Sequence, residues 1–286
     1  MTISLPARID TSAQSSTCLR ISARAFSLPA ALRHRDLRLR RPKRSALSAP
    51  AKYYWEGSHR LIPSLYSEVG MALAEIADDD AMLADVVLLD GATDDRIQGE
   101  QHGLSGISTF ELVYGIPNAR IVNAAFTHTS EAGSRFSDRT RGAWYAADKL
   151  ETSIAEVTYH KGKRLVEIVV PELPGNRPDR ELATYDDWLA DFQATFHALE
   201  PPEEFSECLR PEPVPQCYAA SQQTARRLLE QGSNGVLYPS VRRAGSLCLV
   251  CFRPALVYQP RRAERLEIRF EASATCYEHQ VRTVSR

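Results

Sequence analysis

Hydrophobic and polar positions along the chain predict a mixture of helices and strands. From residue 110 onward, short apolar runs rich in β-branched and aromatic residues alternate with turn residues, a pattern typical of strands. We predict strands at 119–126, 142–147, 164–171, 246–252, 255–258 and 265–270. Apolar residues three and four positions apart predict helices at 149–161, 181–199 and 221–232. Strands in the majority with a few helices among them indicate an α+β domain with a mixed β core.

The segment before this domain has an apolar pattern of its own. Residues 65–89 place Leu65, Val69, Ala72, Leu73 and Ile76 on one helical face. We predict two helices here, followed by a Gly- and Asp-rich linker. The predicted organisation is a basic disordered arm at 1–50, a helical extension with linker at 51–106, and a third domain at 107–286.

Charge is distributed unevenly along the chain, although 43% apolar and 25% charged residues are typical of a globular protein. The net charge is −1, yet residues 1–50 hold ten Arg or Lys against two Asp, which leaves −9 on the remainder. Such a Ser- and Pro-rich basic arm is typical of disorder. It is also compatible with a nucleic-acid-binding tail, with a transit sequence, or with upstream coding sequence outside the native protein.

The cysteines and the hydropathy pattern bear on location. Cys248 and Cys251 have CxxC spacing, but they lie in an apolar run of strand type with no second ligand pair, so we predict buried reduced thiols and no metal. Reduced thiols favour a cytoplasmic protein. No apolar run is long enough for a membrane span. Nucleotide-binding glycine motifs and the GxSxG motif of hydrolases are also absent.

Candidate chemistry is concentrated in residues 133–157, GSRFSDRTRGAWYAADKLETSIAEV. In the helix predicted there, Leu150, Ile154 and Val157 form the apolar stripe, and Glu156 lies about 120° from the middle of that stripe. Burial of the stripe therefore does not require Glu156. On its own, such a glutamate is most simply a solvated surface residue.

An ordered set of residues between about 110 and 258 resembles the RES domain, which is named for its Arg, Glu and Ser. The set consists of Arg120, Arg135, Tyr145, Glu156 and Ser240, with eleven residues from the tyrosine to the glutamate. Where many RES domains have GGRWN, this chain has GSRFS, so Ser134, Phe136 and Ser137 depart from the pattern. Ile121 also departs, since some members have Tyr after the first arginine.

The resemblance implies an ADP-ribosyltransferase-like fold and a toxin of a toxin-antitoxin pair. Such a toxin consumes NAD as substrate by breaking the nicotinamide-ribose bond, with phosphate, water or a protein as acceptor. The implied partner is an Xre-type antitoxin, through which any contact with nucleic acid is indirect. The third domain at 107–286 is then the catalytic domain.

The resemblance also implies roles for individual residues. Glu156 stabilises positive charge on the ribose, with Arg135 and Tyr145 as further catalytic residues. Arg120 and Arg135 bind the pyrophosphate, Tyr145 contacts nicotinamide, and Ser240 bonds a phosphate or the ribose. Two other interpretations stay open: a nucleic-acid-binding protein with an inert RES-like domain, and a protein that forms homo-oligomers through its helical extension.

Overall fold

The computed structural model describes residues 47, 49–67, 106–168, 180–273 and 275–284. Its helices are α1 (Ser64–Ser67), α2 (Ala119–Thr127), α3 (Leu150–Ile168) and α4 (Ala219–Glu230). Its strands are β1 (Ala51–Pro63), β2 (Trp144–Ala147), β3 (Arg180–Ala198), β4 (Gly235–Pro239), β5 (Leu247–Cys251), β6 (Tyr258–Ala272) and β7 (Tyr277–Val284). Short 3₁₀ turns lie at Thr109–Glu111, Pro202–Phe205, Gln216–Tyr218 and Pro254–Leu256.

The seven strands of the described residues form one mixed sheet in the order β1-β2-β5-β4-β3-β6-β7. β3 and β4 run parallel, and the other neighbours run antiparallel. β1 also pairs with β3 over most of its length, so β1, β2, β5, β4 and β3 close into a ring. The α+β class with a mixed β core and flanking helices is therefore confirmed.

The long helices cover separate parts of this sheet. Val122 and Phe126 of α2 pack in one apolar cluster with Trp144 of β2. Ala225 and Leu228 of α4 join a second cluster with strands β4 and β5, and Leu165 of α3 joins a third with β1 and β6. α3 is also tied to β1 by the Ser153 hydroxyl, which donates to the His59 carbonyl at 2.8 Å.

The largest difference from the predicted elements is at 181–199, which forms strand β3 rather than a helix. Trp188, Ala190, Phe192, Phe196 and Ala198 all belong to one core cluster, which is the two-residue period of a strand. Helical spacing was present in the sequence as well. The strand is favoured because β3 pairs with β1 on one side and with β6 on the other.

Several predicted strands have a different structure. Residues 119–126 form helix α2, where Val122, Ala125 and Phe126 are buried at helical spacing. Of 164–171, the part up to Ile168 continues α3, and the rest lies outside the described residues. Of residues 255–258, the first two belong to the 3₁₀ turn Pro254–Leu256, and β6 begins at Tyr258. The predicted strands 142–147, 246–252 and 265–270 and the predicted helices 149–161 and 221–232 are found, with shifted ends.

The predicted boundary before residue 107 also needs correction. Residues 51–63 were placed in the helical extension, whereas they form β1, an integral strand of the sheet. Pairing with β3 explains the difference, because a strand with aromatic residues such as Tyr53 and Trp55 packs against the core that β3 contributes. The predicted arm, apart from residues 47, 49 and 50, and most of the predicted helices at 65–89 lie outside the described residues. Within the part of the chain that is described, no helix meets the length and hydropathy needed to cross a membrane.

Candidate active site

A cavity of about 900 Å³ opens between α3 and the strands β1 and β2. The loop before β2 and the segment around residues 212–218 form its other walls. Glu156, Arg135 and Tyr145 all line it, so the structure brings together three of the five residues predicted for the site. Arg135 lies in a loop, Tyr145 in strand β2 and Glu156 in helix α3. These elements follow one another directly in the chain, so one stretch of 25 residues contains all three side chains.

Glu156 lies on the cavity face of α3, away from the apolar stripe as predicted. The Ser240 hydroxyl donates to its Oε1 at 2.8 Å. Burial raises the pKa of Glu156, while the Ser240 hydrogen bond and the charges of Arg242 and Arg135 oppose that rise. Among the described residues no donor bonds Oε2, which leaves one carboxylate oxygen free to face a ligand.

Arg135 is a buried arginine held in a fixed position. Its Nη1 donates to the carbonyls of Cys208 at 3.0 Å and Arg210 at 2.9 Å, and its guanidinium lies 5.2 Å from the centre of the Tyr218 ring. Gln222 of α4 donates to three carbonyls of the loop that carries Arg135. The guanidinium is thus preorganised, with its other nitrogens left for an anion.

Tyr145 projects from β2 into the cavity, and its hydroxyl is held at the far end. The Phe136 backbone N–H donates to that hydroxyl at 2.9 Å, and the Ser137 hydroxyl lies 3.1 Å away. Burial raises the pKa of Tyr145 to about 12, so the hydroxyl stays protonated at neutral pH. Ser137 stands where many RES domains have Asn, and it still supplies a polar contact to the tyrosine.

Ser240 does not occupy the position expected of a ligand-binding residue. It lies in the turn between β4 and β5, where its hydroxyl oxygen accepts the N–H groups of Arg242 at 3.2 Å and Arg243 at 3.1 Å. Its proton is donated to Glu156, and the residue does not line the cavity. The predicted bond from Ser240 to a phosphate or to the ribose stays a prediction.

Arg120 is not part of the site. Because residues 119–127 form a helix rather than a strand, Arg120 is exposed on α2 and does not line the cavity. Another arginine, Arg60 of β1, lines the cavity instead. Of the two arginines predicted to bind pyrophosphate, the structure therefore places Arg135 in the cavity and Arg120 outside it.

Arg60 packs against two residues of β2. Its Nη1 donates to the Tyr145 carbonyl at 3.2 Å, and its guanidinium lies 5.0 Å from the centre of the Trp144 ring. Burial lowers the pKa of Arg60 to about 10, which leaves it charged at neutral pH. The aromatic composition of residues 53–55 indicated a strand at this position. The prediction of a helical extension at 51–106 did not take this composition into account.

A second group of cavity residues was not predicted. His160 follows Glu156 by one helical turn, and its Nε2 lies 3.5 Å from the Tyr218 hydroxyl. The surrounding protein, together with the charges of Arg242 and Arg135, lowers the pKa of His160 to about 4. The sequence did contain a signal for His160, because it follows Glu156 by four residues in the predicted helix and therefore shares its face.

Tyr159 and Arg242 hold the segment around residue 212 in place at the edge of the cavity. The Tyr159 hydroxyl donates to Oε1 of Glu212 at 2.6 Å, and the Arg242 guanidinium lies 3.3 Å from the centre of the Tyr159 ring. Arg242 Nη2 also donates to the Pro211 carbonyl at 2.8 Å. These contacts fix the wall opposite the sheet.

The two cysteines of the CxxC spacing lie on opposite sides of β5. Cys248 packs in the cluster with α4, whereas Cys251 packs in the cluster with α2. Both are free thiols, and burial raises the pKa of Cys251 to about 12. In the described residues no group of His, Cys, Asp or Glu side chains is arranged to hold a metal ion.

The structure combines a mixed sheet with a cavity lined by Arg135, Tyr145 and Glu156, and Ser240 donates a hydrogen bond to that glutamate. These are the residue types expected from the resemblance to the RES domain. The RES domain model matches residues 112–271, more than half of the chain, and the protein belongs to that family. Comparison with solved structures finds a chain of the M. tuberculosis MbcT-MbcA toxin-antitoxin complex at 11% identity and a TM-score of 0.36, covering 76% of this chain and 85% of that one. Comparison with curated protein sequences finds no match.

Proposed function

We propose that this protein is a toxin that consumes NAD by cleaving the bond between nicotinamide and ribose. The observation that carries the proposal is the half-bonded carboxylate of Glu156, which faces a cavity walled by Arg135 and Tyr145. Membership of the RES domain family supports the same activity. A cavity of about 900 Å³ is in the size range of small-molecule sites.

Glu156 supplies the main chemical step of the proposed reaction. Departure of nicotinamide builds positive charge on the ribose, and a carboxylate beside that ribose stabilises the transition state. Ser240 fixes one oxygen of Glu156, so the other oxygen is presented in a defined direction. The positive charge of the nicotinamide ring also favours the ionised carboxylate, which offsets the effect of burial on its pKa.

Arg135 and Arg60 are the proposed anchors for the pyrophosphate. Both are charged, line the cavity and are held by backbone carbonyls, so little conformational entropy is lost when they bind an anion. Tyr145 lines the same cavity and presents a protonated hydroxyl and an aromatic ring. We assign it to nicotinamide or to the adjacent ribose.

The acceptor and the partner belong to the same proposal. The ADP-ribosyl group passes to water, phosphate or a protein, and no metal takes part. An Xre-type antitoxin protein covers the open cavity and is the only link to nucleic acid, and the pair acts in the cytoplasm.

The test is a nicotinamide-release assay on purified protein, with and without phosphate and with products identified by mass. Wild-type protein is expected to release nicotinamide, and Glu156→Gln is expected to abolish release while remaining folded. Glu151→Gln, an exposed change on the same helix, is the matched control and keeps full activity. Folded wild-type protein that releases no nicotinamide would contradict the proposal.

A further inference from the structure

The cavity wall formed by α3 carries a second functional side chain beyond Glu156. His160 follows by four residues, so both side chains project from the same face of the helix. Both line the cavity. His160 has no partner among the described acidic residues, and its one hydrogen-bond contact is the Tyr218 hydroxyl.

The proposed reaction needs a proton acceptor if the group attacking the ribose is neutral. Glu156 is poorly placed to do this, because one oxygen is bonded by Ser240 and the other faces the developing positive charge. Tyr145 holds its proton at neutral pH, and arginines do not act as bases. His59 also lines the cavity, but its Nδ1 is paired with Asp187, so the imidazole of His160 is the base on the α3 wall that no carboxylate engages among the described residues.

We propose that His160 accepts the proton of a water molecule as the water oxygen attacks C1′ of the ribose, an inference that rests on the proposed function. The C1′–N bond breaks and its electron pair leaves with nicotinamide. The water oxygen forms the new bond to C1′, and one water proton moves to the unprotonated ring nitrogen of His160. Nothing is oxidised or reduced, and the products are nicotinamide and ADP-ribose.

The surroundings of His160 link its basicity to substrate binding. Tyr218 faces it from the 3₁₀ turn, Arg135 from the loop before β2, Arg242 from the β4–β5 turn, and Tyr159 from its own helix with ring centres 5.3 Å apart. Burial is the main cause that lowers the pKa of His160 to about 4, and the positive charges of Arg242 and Arg135 contribute. A pyrophosphate bound at Arg135 offsets that charge, so the pKa of His160 rises when substrate is present.

Azide distinguishes a missing base from a damaged site, because an anionic nucleophile has no proton to lose. His160→Asn is expected to lower nicotinamide release in water by about 100-fold, within the usual range for loss of a general base, with less effect on KM. Added azide is expected to restore release and to give an ADP-ribosyl azide, identified by mass. Glu151→Gln controls for substitution on α3, and thermal melting verifies that each variant is folded.

Each other outcome overturns the inference in a recognisable way. Release at the wild-type rate by folded His160→Asn shows that no base is needed at this position. Lost release that azide does not restore shows a role in binding or structure. A phosphorylated product formed equally fast by both proteins shows that the acceptor is phosphate. Wild-type protein that releases no nicotinamide removes the proposed function itself, and the inference with it.

Discussion

The Ser240 hydroxyl donates a hydrogen bond of 2.8 Å to Glu156, a residue 84 positions earlier in the chain. Two backbone N–H groups of the β4–β5 turn donate to the oxygen of the same hydroxyl, which leaves its proton for the carboxylate. The turn therefore sets the orientation of the glutamate.

Ser240→Ala is expected to lower kcat for nicotinamide release by about tenfold or more, since a hydrogen bond to a charged group contributes about 1.5–3 kcal/mol. The Ser240 bond lowers the pKa of Glu156, so its loss raises that pKa. If the ionised form is active, the acid limb of the pH-rate profile moves to higher pH. Ser240→Thr retains the hydroxyl and is the control. An unmoved acid limb in Ser240→Ala would show that the bond has no effect on the reacting carboxylate.

Glu156→Gln is expected to abolish nicotinamide release and to leave the protein as stable as wild type, or more stable. Because the folded-state pKa of Glu156 is raised, its ionisation costs stability once the pH exceeds the unfolded value, and Gln removes that cost. Thermal melting at neutral pH measures the effect. A clearly lower Tm would mean that the carboxylate holds the fold together.

Arg60→Ala and Arg120→Ala separate the arginine that lines the cavity from the one that does not. Arg60→Ala is expected to raise KM for NAD by about tenfold or more, because a charge-assisted bond is lost. Arg120, exposed on α2, is expected to tolerate Ala with activity unchanged. Steady-state kinetics decide between them, and the reverse pattern would restore Arg120 to the site.

The pair between His59 and Asp187 gives a pH-dependent contribution to stability. His59 Nδ1 lies 2.8 Å from Oδ2 of Asp187, and this bond is the main cause that raises the pKa of His59. The contribution is fully present below the unfolded histidine pKa and is lost as pH rises through the folded value. Asp187→Asn is therefore expected to lower the free energy of unfolding more at about pH 6 than at about pH 9. Equal losses in urea titrations at both pH values would contradict this.

Gly162→Ala tests the packing of α3 on β7. A Cβ at Gly162 would clash with ring carbons of Tyr277, so the tyrosine ring, the helix or the strand must shift. We expect a loss of about 1–3 kcal/mol in the free energy of unfolding, typical of overpacking. Urea unfolding measures it, and Tyr277→Ala in the same protein should relieve the clash. A Gly162→Ala protein of wild-type stability would show that the two elements adjust freely.

Local sequence was sufficient to predict three residues of one stretch that line the same cavity. The helical period placed Glu156 off the apolar stripe, and the spacing to Tyr145 and Arg135 carried the family resemblance. The hydrogen bond from Ser240 to Glu156 could not be predicted, because the direction of the Ser240 proton depends on a turn whose backbone N–H groups bond its hydroxyl oxygen.

Pairing between strands that are distant in the chain determines the structure of segments whose local sequence is ambiguous. Residues 181–199 have apolar residues at both helical and alternating spacing, and the alternating set prevails because β1 and β6 flank this segment. Arg60 was overlooked for the same reason, since its position in the site depends on pairing with β3, more than 100 residues away in the chain.

Pairing of β1 with β3 also determines when the ring of strands can form during translation. β1 leaves the ribosome first among the described strands, but its partner residues on β3 follow far behind, as in the pair Ala51 and Phe196. At about 5–20 residues per second, β1 remains without its partner for roughly ten seconds. Ser240 is synthesised later still, so the nascent chain has no oriented Glu156 until most of it has been made.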